Sequence, residues 1–130
     1  MITLEHVCLP PGLYSLRLNR VWEAPSPISG AQMIRFEFEH FSGLKVYEIV
    51  QPSVNPEHLN RILRGLGADT PVRAFDEKLL EGKHYWVNVR CERREHLTAN
   101  DTRPRWYNTI VWEGGVNRAA HSNAGSTGIG

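Results

Sequence analysis

Residues 55–67, with the sequence NPEHLNRILRGLG, contain the clearest helical pattern of this chain. Asn55 is a good N-cap, and Pro56 suits the first helical position because the backbone nitrogen there has no partner within the helix. Four apolar residues follow at the spacing of one helix face: Leu59, Ile62, Leu63 and Leu66. Gly67 is a typical C-terminal stop. The sequence therefore predicts one helix with an apolar stripe that packs on a core.

On both sides of this helix, apolar and polar residues alternate, which is typical of half-buried β-strands. Five such strands are predicted, at residues 12–22, 32–41, 44–50, 84–94 and 105–112. In the second strand, Ile34, Phe36 and Phe38 would face the core. Ser42 and Gly43 then interrupt the pattern, so we expect a hairpin between the second and third strands.

The predicted order is strand, strand, strand, helix, strand, strand. This is the connectivity of the OB-fold, a small, partly open β-barrel of five strands that the helix would cap. We therefore expect an all-β OB-fold with one capping helix. Residues 1–113 would form this single domain, and the small, polar residues 114–130 would form a flexible tail.

Composition and charge exclude several classes of protein. The 130 residues include 15 Lys and Arg against 14 Asp and Glu, so any nucleic-acid binding must rest on local patches. No apolar run approaches the roughly 20 residues of a membrane span, and no signal peptide is recognisable, so we expect a cytoplasmic protein without membrane contact. Cys8 and Cys91 are far apart in sequence and are expected to be free thiols of a reducing compartment.

Catalytic motifs do not stand out in the sequence. The six histidines are scattered, and HExxH, CxxC and GxSxG patterns do not occur. Glu37 and Glu39 alternate with apolar residues, which favours a solvated strand face over a pair of catalytic acids. We therefore expect a protein that is not an enzyme and needs neither a cofactor nor a metal.

Five short motifs resemble those of a known family. They are Pro11-Gly12-Leu13-Tyr14, Met33-Ile34-Arg35-Phe36-Glu37-Phe38, the Leu59-x-x-Ile62-Leu63-x-x-Leu66-Gly67 helix, Leu80-Glu81-Gly82-Lys83 and Tyr107-Asn108-Thr109-Ile110. In this order, over about residues 10–115, the chain resembles the small OB-fold single-stranded-DNA-binding proteins of phage replication and recombination modules. The resemblance implies action in the host cytoplasm with a recombinase or polymerase as partner. Such proteins often end in an acidic tail, whereas here no acid follows Glu113.

The region between the fourth and fifth strands is locally basic. Residues 90–105 carry five arginines against three acids: Arg90, Arg93, Arg94, Arg103 and Arg105 against Glu92, Glu95 and Asp101. Trp106 and Tyr107 follow directly, and alternation sends one inward and one outward without deciding which. Proteins that bind single strands combine cationic grooves with aromatic platforms. The arginines and Trp106 are therefore candidate nucleic-acid ligands, although a solvated hairpin loop would look the same.

The second and third strands supply further candidates. Arg35 and Lys45 would contact phosphates and Tyr47 would stack on a base if these three side chains point outward. The alternation around Glu48 equally allows Tyr47 and Ile49 to point inward.

Three more aromatic residues have two interpretations each. Phe41, at the hairpin turn, could stack on a base or simply pack. Trp86 lies on the polar side of the fourth strand, where it could bind DNA or support a homodimer. Trp22 could be a platform, or a staple over the end of the barrel, with the staple slightly favoured.

The leading hypothesis is sequence-tolerant binding of single-stranded DNA in an OB groove. Because Glu37 and Glu39 would repel phosphates, we expect a modest affinity that falls steeply with salt. The alternatives are a protein-interaction or assembly module on the same fold, and an RNA-binding OB domain.

Overall fold

A five-stranded antiparallel sheet and one helix form the part of the chain that the computed structural model describes, residues 8–68, 75–94 and 105–112. The elements are β1 (Gly12–Pro25), β2 (Gln32–Glu39), β3 (Lys45–Val50), α1 (Pro56–Gly65), β4 (His84–Arg94) and β5 (Arg105–Ile110), with a 3₁₀ turn at Glu77–Leu79. The sheet order is β3-β2-β1-β4-β5. The sheet curls until its edge strands β3 and β5 contact each other. The predicted OB-like all-β fold is confirmed.

β1 is the long central strand that joins the two halves of the sheet. Its first part, residues 12–17, pairs with β4, and residues 17–25 pair with β2. At the change of partner, the backbone of Leu18 donates to the carbonyl of Lys83 at 2.9 Å and accepts from the amide of Gly82 at 2.7 Å. Because one strand serves two partners in succession, the sheet bends around the core at this point.

A β-bulge accompanies this change of partner. The β1–β2 register shifts between Leu18 and Arg20, so Asn19 is the extra residue. Beyond the bulge, Val21 takes the core side while Arg20 and Trp22 take the outer side. The strict alternation expected for this strand therefore fails after Asn19.

The core lies inside the curled sheet and is closed by α1. Residues of all five strands and of the helix contribute to it, including Leu16, Leu18, Phe36, Phe38, Val46, Tyr85, Val87, Val89, Ile110 and Trp112. Ile62, Leu63 and Leu66 place the helical stripe in this core, as predicted. Trp112, which follows β5, is buried in the same core.

The ends of α1 follow the sequence signals. The side chain of Asn55 accepts a hydrogen bond from the His58 amide at 3.2 Å, as an N-cap does. At the other end, Gly67 has φ +92°, and the amides of Gly67 and Ala68 donate to the carbonyls of Arg64 and Leu63. This is a Schellman motif, which explains why glycine ends the helix.

The expectation of free thiols is wrong, because Cys8 and Cys91 form a disulfide. The segment before β1 runs along the sheet at β4 and β5. There the Asn108 side chain accepts from the Leu9 amide and donates to the Leu9 carbonyl, both at 2.9 Å. These contacts bring Cys8 next to Cys91, although 83 positions separate the two cysteines in sequence.

Four strands differ from the predicted ones at their ends, β3 by a single residue because it begins at Lys45. β1 continues to Pro25, β2 stops at Glu39 before the turn, and β5 stops at Ile110. Arg103 and the expected tail at 114–130 lie outside the described residues. None of the helices in the described ranges has the length and hydropathy needed to span a bilayer.

Candidate nucleic-acid interface

The strand register of β1, β2 and β3 places basic, aromatic and acidic side chains on one surface, which we call the outer face. It consists of three cross-strand rows: Trp22–Arg35–Ile49, Arg20–Glu37–Tyr47 and Arg17–Glu39–Lys45. The opposite side of the same strands carries the core residues. The face is therefore fixed by the hydrophobic pattern of three strands and by the bulge in β1.

A cation–π contact joins the first two rows of the outer face, because Arg20 of the second row lies over the ring of Trp22 in the first. The guanidinium carbon of Arg20 lies 4.1 Å from the ring centroid of Trp22, in a cation–π contact. Trp22 is half-buried on the outer face, beside Arg35 of β2. It is thus a surface aromatic of the sheet, and the interpretation of Trp22 as a staple over the barrel end is wrong.

The burial of individual side chains in β3 shows which of them point outward. Val46 and Val50 are buried, whereas 49% of Tyr47 and 42% of Ile49 are exposed. Tyr47 therefore points outward, as the leading interpretation requires, and the inward alternative is wrong. Arg35 and Lys45 lie on the same face as Tyr47.

The two acids of the outer face are already hydrogen-bonded. Asn19 donates through Nδ2 to Glu37 Oε2 at 3.1 Å and to Glu39 Oε1 at 2.6 Å. Lys45 Nζ lies 3.8 Å from Glu37 Oε2. As defined, the face has four cationic and two acidic side chains, so its charge is positive but diluted.

Phe41 projects from the turn between β2 and β3, where 93% of it is exposed. Its ring centroid lies 4.3 Å from that of His40. His40 also makes an edge contact with Tyr14, at 5.4 Å between ring centroids. Phe41 is therefore supported by a neighbouring ring but not packed into the core, which leaves its own face open to a ligand.

The candidates on β4 and β5 divide between two surfaces. Trp86 and Arg90 point to the outer side of β4, where Trp86 is half-buried opposite Ser15 and Arg90 is exposed. Arg93 and Trp106 pair with each other and are exposed on the other side of these strands.

This division resolves the question left open for the two aromatics at the start of β5. Trp106 shares a side with Ile110 but lies past the end of the core, so 47% of it is exposed. Tyr107 takes the outer side and is half-buried. Arg94 and Arg105 are paired in register. The structure thus does not bring Arg93 and Trp106 onto the surface of Arg35, Lys45 and Tyr47.

Three residues of the outer face, Arg17, Arg20 and Ile49, were not predicted as ligands, and Trp22 was considered as a platform only as the less favoured of two interpretations. The sequence contains a signal for Arg20 and Trp22. The core residues of β1 are Leu16, Leu18 and Val21, so the apolar spacing changes from two to three. Such a change of phase indicates a bulge, which turns the following polar and aromatic residues outward.

A metal centre has no support in this surface. Within residues 8–68, 75–94 and 105–112, no cluster of three or more His, Cys, Asp or Glu could hold an ion. What the outer face offers chemically is aromatic surface, cationic charge and hydrogen-bonding groups.

No known protein-family model matches the chain, and no curated protein is significantly similar to it in sequence.

Proposed function

We propose that this protein binds single-stranded DNA, without strong sequence preference, on the outer face of β1, β2 and β3. The carrying observation is the outward position of Tyr47 in the row next to that of Arg35, with Trp22 in the same row as Arg35. The exposed ring of Tyr47 supplies a stacking platform for a base, and the adjacent cations supply contacts for phosphates. Both features are needed for a strand whose bases and backbone bind together.

The charge of the face sets the expected strength of binding. Arg17, Arg20, Arg35 and Lys45 attract phosphates, whereas Glu37 and Glu39 repel them. The acids reduce the attraction without abolishing it, because four cations face two acids and Lys45 Nζ lies 3.8 Å from Glu37 Oε2. The proposal is therefore a modest affinity that decreases steeply with salt concentration.

The proposed role is support of phage DNA replication or recombination in the host cytoplasm, with a recombinase or polymerase as partner. The resemblance of the sequence motifs supports this role. The cytoplasm keeps most protein thiols reduced, and neither Cys8 nor Cys91 belongs to the outer face. Binding should therefore be the same with and without reductant.

A titration of a labelled oligo-dT of about thirty nucleotides tests the proposal. Fluorescence anisotropy would be followed at low and moderate salt, together with tryptophan fluorescence. We expect saturable binding that weakens with salt, with quenching of tryptophan. Y47A should weaken binding, whereas L79A, which truncates an exposed apolar residue of the 3₁₀ turn, should not. Absence of binding at low salt would overturn the proposal, and RNA and duplex competitors would define the preference.

The outer side of β1 and β4 supports a second candidate, an assembly module. Leu13 is 58% exposed there, and Trp86 lies two register positions away, opposite Ser15. Sedimentation velocity on the protein and on W86A tests it. A dimer that W86A dissociates would favour assembly, and a monomer at all concentrations would exclude this homodimer.

A further inference from the structure

A cleft of about 470 Å³ lies at the end of the outer face, where β1, the β2–β3 turn and the start of β4 meet. Its lining residues are Ser15, Arg17, Asn19, Glu39, His40, Phe41 and His84. Arg17 and Glu39 belong to both the cleft and the third row of the outer face. A strand bound on the face can thus continue into the cleft without leaving the protein surface.

We propose that this cleft binds one nucleotide of the DNA strand and prefers guanine. The inference rests on the proposed function, since the strand on the outer face delivers the nucleotide. The volume is within the range of small-ligand sites, about 300–1,000 Å³. The lining residues include one platform, one cation and one carboxylate, which correspond to the three parts of a guanine nucleotide.

Phe41 supplies the platform for the base. Its ring is exposed on the rim of the cleft and is supported from behind by His40 at 4.3 Å. His40 is held in turn by Ser42, whose hydroxyl lies 2.8 Å from His40 Nδ1. A base that stacks on Phe41 therefore meets a ring that already contacts a second, hydrogen-bonded ring, which lowers the entropic cost of binding.

Glu39 supplies the base preference. Its Oε1 accepts one bond from Asn19 at 2.6 Å, and a carboxylate has about four acceptor positions. Guanine is the base that presents two adjacent donors, N1–H and the N2 amino group, to a carboxylate. Adenine and cytosine offer one amino group beside a ring acceptor, and thymine offers one imino group between two carbonyls. A fixed acceptor-only side chain therefore favours guanine and disfavours thymine most.

Arg17 supplies the contact for phosphate. Its Nη1 donates to Asn19 Oδ1 at 2.6 Å, and its Nη2 lies near the turn at Gly82. These contacts hold the guanidinium in the lining of the cleft, and it has further N–H donors. Asn19 thus orients both charged groups of the cleft, the cation through its oxygen and the carboxylate through its nitrogen.

The experiment compares labelled dT15 with the same strand carrying one central dG, dA or dC. We expect the dG strand to bind about fivefold to tenfold more tightly than dT15, as one bidentate base contact implies. E39Q should reduce this ratio to about one, because the amide presents a donor beside its acceptor. E23Q, a matched change at an exposed glutamate outside the cleft, should retain the preference.

A second measurement separates this inference from the proposed function. In ¹H–¹⁵N spectra, dGMP should shift the amide signals of His40, Phe41 and His84 more than dTMP does. If dT15 binds but dG brings no gain and dGMP shifts nothing there, the cleft proposal fails and the strand-binding proposal stands. If dT15 does not bind, the strand-binding proposal fails. The guanine proposal then fails as well, because it requires a strand bound on the outer face. A dG preference that survives in E39Q would also overturn the assignment.

Discussion

Trp112 Nε1 donates a hydrogen bond to Glu48 Oε1 at 2.6 Å, which joins the segment after β5 to β3. The other carboxylate oxygen, Oε2, lies 3.4 Å from His58 Nε2 of α1. β3 and β5 are the two edges of the sheet, so this carboxylate connects both edges and the helix at the place where the curled sheet closes. A polar side chain thus takes the core side of β3 because it has partners there.

Replacement of Glu48 should destabilise the fold. E48A leaves the indole N–H of the buried Trp112 without its acceptor, and an unsatisfied buried donor costs about 1–3 kcal/mol. E48Q keeps an oxygen acceptor and should cost less. Urea denaturation of both variants measures the free energy of unfolding. Equal stability of E48A and the unchanged protein would mean that the contact does not hold the edges together.

The disulfide should contribute several kcal/mol to stability. The bond between Cys8 and Cys91 closes a loop across 83 positions, for which the loss of chain entropy in the unfolded state corresponds to about 4.5 kcal/mol. Reductant should lower the melting temperature of the protein, whereas the C8A/C91A variant should be insensitive to reductant. If reductant left the unchanged protein unaffected, the two cysteines would not be stabilising it.

The fold was predictable because its signals are local. The cap at Asn55, the stop at Gly67 and the period-two strands each depend on neighbours in sequence, and the structure confirms them. The disulfide was not predictable, because the Leu9–Asn108 contacts that align Cys8 are long-range. Local pattern carries no information about such contacts.

The outer face was predictable only in part. Arg35 and Lys45 follow from the clear alternation of the second strand and its hairpin. Tyr47 remained ambiguous because β3 has apolar residues on both sides, and because Glu48, the polar residue between them, lies on the core side. Arg20 was missed, and the staple was favoured over the platform for Trp22, because the bulge at Asn19 reverses the alternation.

Alkaline pH should destabilise the protein through Tyr85. Burial raises the pKa of Tyr85 from 10.0 to about 12, and its hydroxyl donates to the Leu80 carbonyl at 3.0 Å. Between these pH values the unfolded chain loses a proton that the folded protein retains, so stability falls as pH rises. The loss should reach about 2.7 kcal/mol. Urea denaturation at several pH values should show a smaller decrease for Y85F, and parallel curves for both proteins would contradict the assignment.

Removal of a phosphate contact and removal of a stacking contact on the outer face should change the salt dependence of DNA binding differently. R35A removes a phosphate contact, so the slope of log affinity against log salt should become shallower by about 0.7. Y47A removes a stacking platform, so affinity should fall by about 1–3 kcal/mol with the slope unchanged. K78A, a charge removal on the 3₁₀ turn, is the control and should change neither. Anisotropy titrations with oligo-dT at four salt concentrations measure both quantities. A shallower slope for Y47A, or an unchanged slope for R35A, would show that these side chains do not have the roles assigned to them.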